Sequence, residues 1–148
     1  MKLTQDLKEF VELLISENVQ YLVIGGWAYN RFSEPRFTGD VDFFISTNNL
    51  NQIALRRALV RFGLEQYLPP ENNPLFEKKI LMFGRPPHRI DLISEIDGVT
   101  FDEAWNEKEE DFIDGLKIFF ISKRLLIKNK KAAKRDKDLL DVKNLESD

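Results

Sequence analysis

Two short stretches constrain this chain more than anything else in it. In the first, the apolar run Tyr21-Leu22-Val23-Ile24 ends at Gly25-Gly26. In the second, which begins after thirteen intervening residues, Asp40 and Asp42 alternate with Val41 and Phe43. The first reads as a buried strand entering a tight turn, because glycine admits backbone conformations that other residues resist. The second reads as a strand with an apolar back and a partly acidic front, because residues i and i+2 of a strand share a face. Asp91 interrupts a third apolar run, Arg89-Ile90-Asp91-Leu92-Ile93.

Carboxylates on mainly apolar strands are costly unless something compensates their charge. A divalent cation does so and keeps them ionised. Mg²⁺ in particular suits a few carboxylates completed by water and phosphate oxygens. Asp40, Asp42 and Asp91 are therefore the expected metal ligands and the expected catalytic residues. Gly25 and Gly26 let phosphates approach backbone N–H groups, and a helix starting at Trp27 would add its positive dipole end.

The rest of the chain alternates helices with strands. Leu7, Phe10, Val11, Leu14 and Ile15 predict a helix over 5–17, with Thr4 as its N-cap and Asn18 as its stop. A short helix is expected from Trp27 to Phe32, a loop at Pro35, and a second amphipathic helix from Asn48 to Gly63. The Pro- and Asn-rich stretch Leu68 to Pro74 is a loop. Ile80 to Phe83 and Arg89 to Ile93 read as a strand pair, Phe101 to Glu107 as a helical turn, and Asp111 to Ile121 as a hairpin turning at Asp114-Gly115. Ser122 caps a pair of C-terminal helices over 123–133 and 136–145. The alternation argues α/β or α+β, and the expected class is α+β (α/β mixed). One domain is expected over 1–148, with its core at about 1–121 and the C-terminal helices at about 122–146.

Composition narrows the chemistry. With no cysteine and a single histidine, His88, thiolate nucleophiles, disulfides and multi-histidine metal sites are excluded within one chain. A net charge of −3 gives no global pull toward nucleic acid or anionic membranes, although a local basic patch would be enough for RNA. The start MKLTQDLKEF is interrupted by charges every few residues, unlike a signal-peptide core. A cytoplasmic protein without membrane association is expected.

Ile24-Gly25-Gly26 followed by Asp40-Val41-Asp42-Phe43, with a third acid at Asp91, resembles the signature of the polymerase-β-like nucleotidyltransferase superfamily. The resemblance implies a mixed twisted sheet flanked by helices, Mg²⁺ at the three acids and transfer of a nucleoside monophosphate from an NTP to an acceptor. Further matches resemble a group of small bacterial nucleotidyltransferases. They are Pro86-Pro87-His88-Arg89-Ile90-Asp91-Leu92 and Gly98-Val99-Thr100-Phe101-Asp102-Glu103-Ala104-Trp105. Ile121-Ser122, Lys130-Lys131-Ala132-Ala133, Arg135, Lys137-Asp138 and Asp141 belong with them. That C-terminal pattern is also similar to nucleotidyltransferase toxins of abortive-infection toxin–antitoxin pairs. The acceptor is left open between tRNA or other RNA, a protein and a small molecule, and ATP is one candidate nucleotide. A toxin–antitoxin component and a non-catalytic nucleotide-binding module are the alternatives. Lys134 stands where the group often has glycine, and a lysine there can continue the helix where relatives turn.

Other residues carry paired readings. Arg36 and Thr38 contact phosphates or position Asp40, or they belong to a solvated loop. Lys130 reaches a triphosphate, as the resemblance implies, or joins Lys128, Lys131 and Lys134 on a solvated basic face. Trp27 lines the nucleotide site or packs in the core, and Trp105 packs in the core. Arg135, Lys137, Asp138 and Asp141 form an ion-pair network that positions the last helix.

Overall fold

The computed structural model describes residues 3–147; positions 1, 2 and 148 of the expected domain lie outside it. Helix α1 (Gln5–Ser16) starts where Thr4 Oγ1 accepts the Leu7 N–H at 3.2 Å. It buries Leu7, Phe10, Val11 and Leu14 and gives way at Asn18, whose φ is +56°. Strand β1 (Tyr21–Ile24) runs directly into α2 (Gly25–Phe32), and strand β2 (Asp40–Ile45) leads to α3 (Asn49–Arg61). The N-cap of α3 is Asn48, which accepts the Asn51 N–H at 2.8 Å. Strands β3 (Ile80–Phe83) and β4 (Arg89–Ile93) precede α4 (Phe101–Asn106). Strands β5 (Glu109–Ile113) and β6 (Leu116–Phe120) then lead to α5 (Lys123–Ala133) and α6 (Asp136–Ser147).

The six strands form one mixed sheet in the order β3-β4-β2-β1-β6-β5. The central strands β4, β2, β1 and β6 are joined by parallel pairs β2·β4 and β1·β6 around the antiparallel pair β1·β2. Alternation on β2 separates two faces. Val41 and Phe43 point toward α1, where Phe10 meets Phe43 at 5.5 Å and Phe62 at 5.2 Å. Asp40, Asp42 and Phe44 point the other way, where Phe44 meets Phe101 of α4 at 5.2 Å. Phe10, Phe43 and Phe44 are fully buried, and each such side chain contributes about 1.5–3 kcal/mol of burial. One acidic end of β2 is thus held by a strand packed on both faces. Among the described residues no helix is long and apolar enough to cross a membrane.

The expected elements are present, with local differences. Helix α2 begins at Gly25 rather than Trp27, so both glycines lie in its first turn. A 3-10 turn at Glu65–Tyr67 precedes the Pro-rich loop. Strand β5 starts at Glu109 rather than Asp111: acidic Glu109, Glu110 and Asp111 mask an apolar pattern on a sheet edge, where charge is tolerated. Lys134 does not continue the helix. Its φ is +60°, the left-handed conformation glycine would supply, and its N–H closes α5 on the Lys130 carbonyl. The turn lets Asp138 receive Arg135, whose N–H and Nε both reach Asp138 Oδ2 (3.3 and 2.7 Å), and this starts α6.

Candidate active site

The three acids converge because of sheet register. Asp42 on β2 pairs directly with Asp91 on parallel β4, and Asp40 pairs with Arg89. One oxygen from each of Asp40, Asp42 and Asp91 lies within 4.8 Å of the others, a grouping that could hold a metal ion. Arg89 and Asp91 share a face of β4 by their i, i+2 spacing. The guanidinium of Arg89 therefore forks between the acids, reaching Asp91 at 2.8 and 3.0 Å and Asp40 Oδ2 at 2.6 Å. With all three acids ionised, one guanidinium leaves two negative charges unmatched, the charge of a divalent cation.

Asp42 is the acid Arg89 does not touch. Its Oδ1 is buried without a hydrogen-bond partner. Burial, and then the Asp40 carboxylate beside it, push the Asp42 carboxyl up to about 7. Asp40 is also raised, first by burial and then by the charge of Asp91, with Arg89 opposing both. An orphaned buried carboxylate oxygen beside two further carboxylates is the donor set expected of a hard-cation site.

The glycines are fitted to these acids. Gly25 has φ +64°, and a Cβ on it would run into Asp42 Oδ2. A Cβ on Gly26 would stand 2.9 Å from Thr38 Oγ1. Thr38 donates its hydroxyl to the Asp40 carbonyl at 3.0 Å. No side chain caps the first turn of α2, and Gly25 at its start lies against Asp42.

Trp27 lines a cavity of about 270 Å³ with Leu7 of α1, Val41, Ile90 and Arg89. Lys130 is buried, not part of a solvated face: its Nζ lies 2.7 Å from Asp141 Oδ2 and 3.8 Å from Asp138 Oδ1. Arg36 pairs bidentately with the same Asp141 at 2.6 and 2.9 Å, its guanidinium 4.1 Å from the centre of the Tyr29 ring. Lys128, instead, pairs with Glu103 at 2.7 Å. Trp105 packs on Phe101 and Phe119. Sequence reasoning missed the Arg89 fork, although the i, i+2 spacing from Asp91 was its signal. It also missed the Arg36–Asp141 pair, which no local pattern announces across 105 positions.

No family model and no curated protein matches the sequence. Solved structures do. One is the lincosamide antibiotic adenylyltransferase LnuA bound to lincomycin, which aligns with a TM-score of 0.56 and 17% identity over 99% of both chains. Another is an antigenic nucleotidyltransferase-like protein from Paracoccidioides brasiliensis, with a TM-score of 0.55 and 16% identity over 99% of this chain and 77% of that one. The chain has the nucleotidyltransferase fold.

Proposed function

We propose that this protein is a Mg²⁺-dependent nucleotidyltransferase that moves a nucleoside monophosphate from an NTP to a hydroxyl of its acceptor. The observation that carries the reading is the cluster of Asp40, Asp42 and Asp91, with one buried carboxylate oxygen left without a partner. Asp40, Asp42 and Asp91 are the residues that would hold Mg²⁺. Bound there, the ion would neutralise phosphate charge and lower the pKa of the attacking hydroxyl.

The chain's own residues supply position. The backbone at Gly25 and Gly26 offers N–H groups to the phosphates at the start of α2. Thr38 steadies the backbone at Asp40, and Arg36 stands on the same loop for the triphosphate. Arg89 fixes both oxygens of Asp91, the carboxylate we assign to receive the hydroxyl proton. The hydroxyl oxygen bonds to the α-phosphorus, the bond to the bridging oxygen breaks, and pyrophosphate leaves. Catalysis then rests on orientation and charge neutralisation. Lys130, whose ammonium holds the same Asp141 as Arg36, and Trp27, which follows the two glycines, complete the residues we assign to the nucleotide.

LnuA is a lincosamide adenylyltransferase, so a small-molecule hydroxyl stands beside RNA and protein as an acceptor class. The test is label transfer: wild-type protein and Asp42→Asn are incubated with each α-³²P-labelled NTP, Mg²⁺ and cell extract. Label entering the RNA, protein or small-molecule fraction with wild type alone supports the reading and identifies the class. Equal label with both proteins counts against it.

A further inference from the structure

We infer that Asp141 is a positioning residue for the nucleotide, acting through Arg36 to hold the 33–39 loop against the metal carboxylates. The inference rests on the nucleotide reading above and adds to it a coupling between the C-terminal helices and the site.

Asp141 lies on α6, 105 positions from Arg36, and its side chain is 1% exposed. Its two oxygens take both nitrogens of the Arg36 fork, and Oδ2 also accepts from the buried ammonium of Lys130 at 2.7 Å. Bidentate guanidinium–carboxylate geometry fixes orientation as well as distance. At Asp141 it is fixed further by Lys130 beneath and by Tyr29, whose ring lies under Arg36 and whose hydroxyl accepts from Asn144 of α6 at 3.1 Å. Arg36 is therefore held at its head by α6 and at its backbone by Asn30, which accepts the Arg36 N–H at 3.1 Å. Two residues on, Thr38 touches the Asp40 carbonyl and lies against Gly26.

Arg36, Lys130 and Arg135 pair with Asp138 and Asp141, and Asp97 also acts on Arg135. Lys130 is sealed inside, while the Arg36 side chain is 45% exposed. Arg36 therefore meets solvent on the loop that carries Thr38 to the acids. This makes the sign of a mutational effect decisive. If the network acted only as a field, removing the Asp141 charge would make the region more positive and tighten NTP binding. If Asp141 acts by aiming Arg36, the same change weakens it.

The experiment compares wild type, Asp141→Asn, Arg36→Met and the double variant, by calorimetry with each of the four NTPs and Mg²⁺. Hydrogen exchange at the Arg36 amide is measured without nucleotide. The expected result is NTP affinity weakened by roughly tenfold or more in each single variant, with the double variant no weaker than Arg36→Met. Arg36 amide exchange should also be faster in Asp141→Asn while the amides of β1 and β2 stay protected. Unchanged or tighter binding in Asp141→Asn would overturn the inference, as would additive losses. Should the wild type bind no NTP, the nucleotide reading fails and exchange alone decides the coupling. Faster exchange confined to the loop supports it, and unaltered exchange refutes it. Should Asp141→Asn not fold, Arg36→Met carries the test, with faster exchange of the amide at position 36 and weaker NTP binding expected and no change in either overturning it.

Discussion

The Asp42 carboxylate occupies the space that a side chain at Gly25 would need. Gly25 also adopts φ +64°, so two separate constraints demand glycine there. A non-glycine residue in that conformation costs about 1–2 kcal/mol, and the collision with Asp42 adds to it.

Gly25→Ala is therefore expected to lose stability and Mg²⁺-dependent nucleotide binding together. Gly63→Ala is the control: Gly63 has φ +96° with open space around it. It should lose the backbone cost alone, less than Gly25→Ala, in denaturant titration while keeping nucleotide affinity. Equal affinity in both variants would remove Gly25 from the site.

The pH dependence of the metal-free protein follows from Asp42. Its folded pKa is raised from 3.8 to about 7, so between those values the native state holds a proton that the unfolded state has released. Its contribution to stability is complete below about pH 4 and is lost as pH rises through 7. Asp42→Asn removes this dependence. The melting temperature of the variant minus that of wild type, measured with EDTA, should grow between pH 4 and 8. A flat difference would show that Asp42 titrates normally.

Asp138 behaves in the opposite sense. Burial would raise its pKa, but Arg135 and Lys130 together hold it below the ordinary carboxylate range. Its stabilisation is thus present above the unfolded value and lost as pH falls through the lower folded one. Arg135 is largely exposed and Lys130 keeps Asp141, so Asp138→Asn leaves no buried charge unpaired and removes charged hydrogen bonds of about 1.5–3 kcal/mol. Asp138→Asn should lose stability of that order at pH 7, read from urea unfolding, and the gap to wild type should narrow in acid.

Lys134 holds a left-handed conformation without the freedom of glycine. Lys134→Gly should raise the denaturation midpoint, by up to about 1 kcal/mol of stability. A lower midpoint would mean that the lysine side chain contributes more than its backbone costs.

Much of this molecule was legible because its constraints are local. Thr4 and Ser122 announce helix starts, Asp114-Gly115 announces a hairpin turn, and alternation on β2 puts Asp40 and Asp42 on one face. The third acid follows from an apolar strand interrupted by Asp91. What stayed hidden depends on tertiary pairing. Lys130 and its neighbours Lys128 and Lys131 look alike in sequence, yet Lys130 alone of the three is buried, because α6 brings Asp141 over it. Lys134 misled for a different reason: the turn between α5 and α6 is enforced by the Arg135–Asp138 contact, which overrides local helix preference.

The central claim is that Asp40, Asp42 and Asp91 bind a divalent cation and, with it, a nucleotide. Calorimetric titration of the four NTPs into wild type and Asp42→Asn, each with Mg²⁺ and with EDTA, tests it most directly. The account predicts binding of at least one NTP to wild type with Mg²⁺, lost in EDTA and lost in Asp42→Asn. Binding that survives both EDTA and the substitution, or no binding of any NTP to wild type, would contradict it.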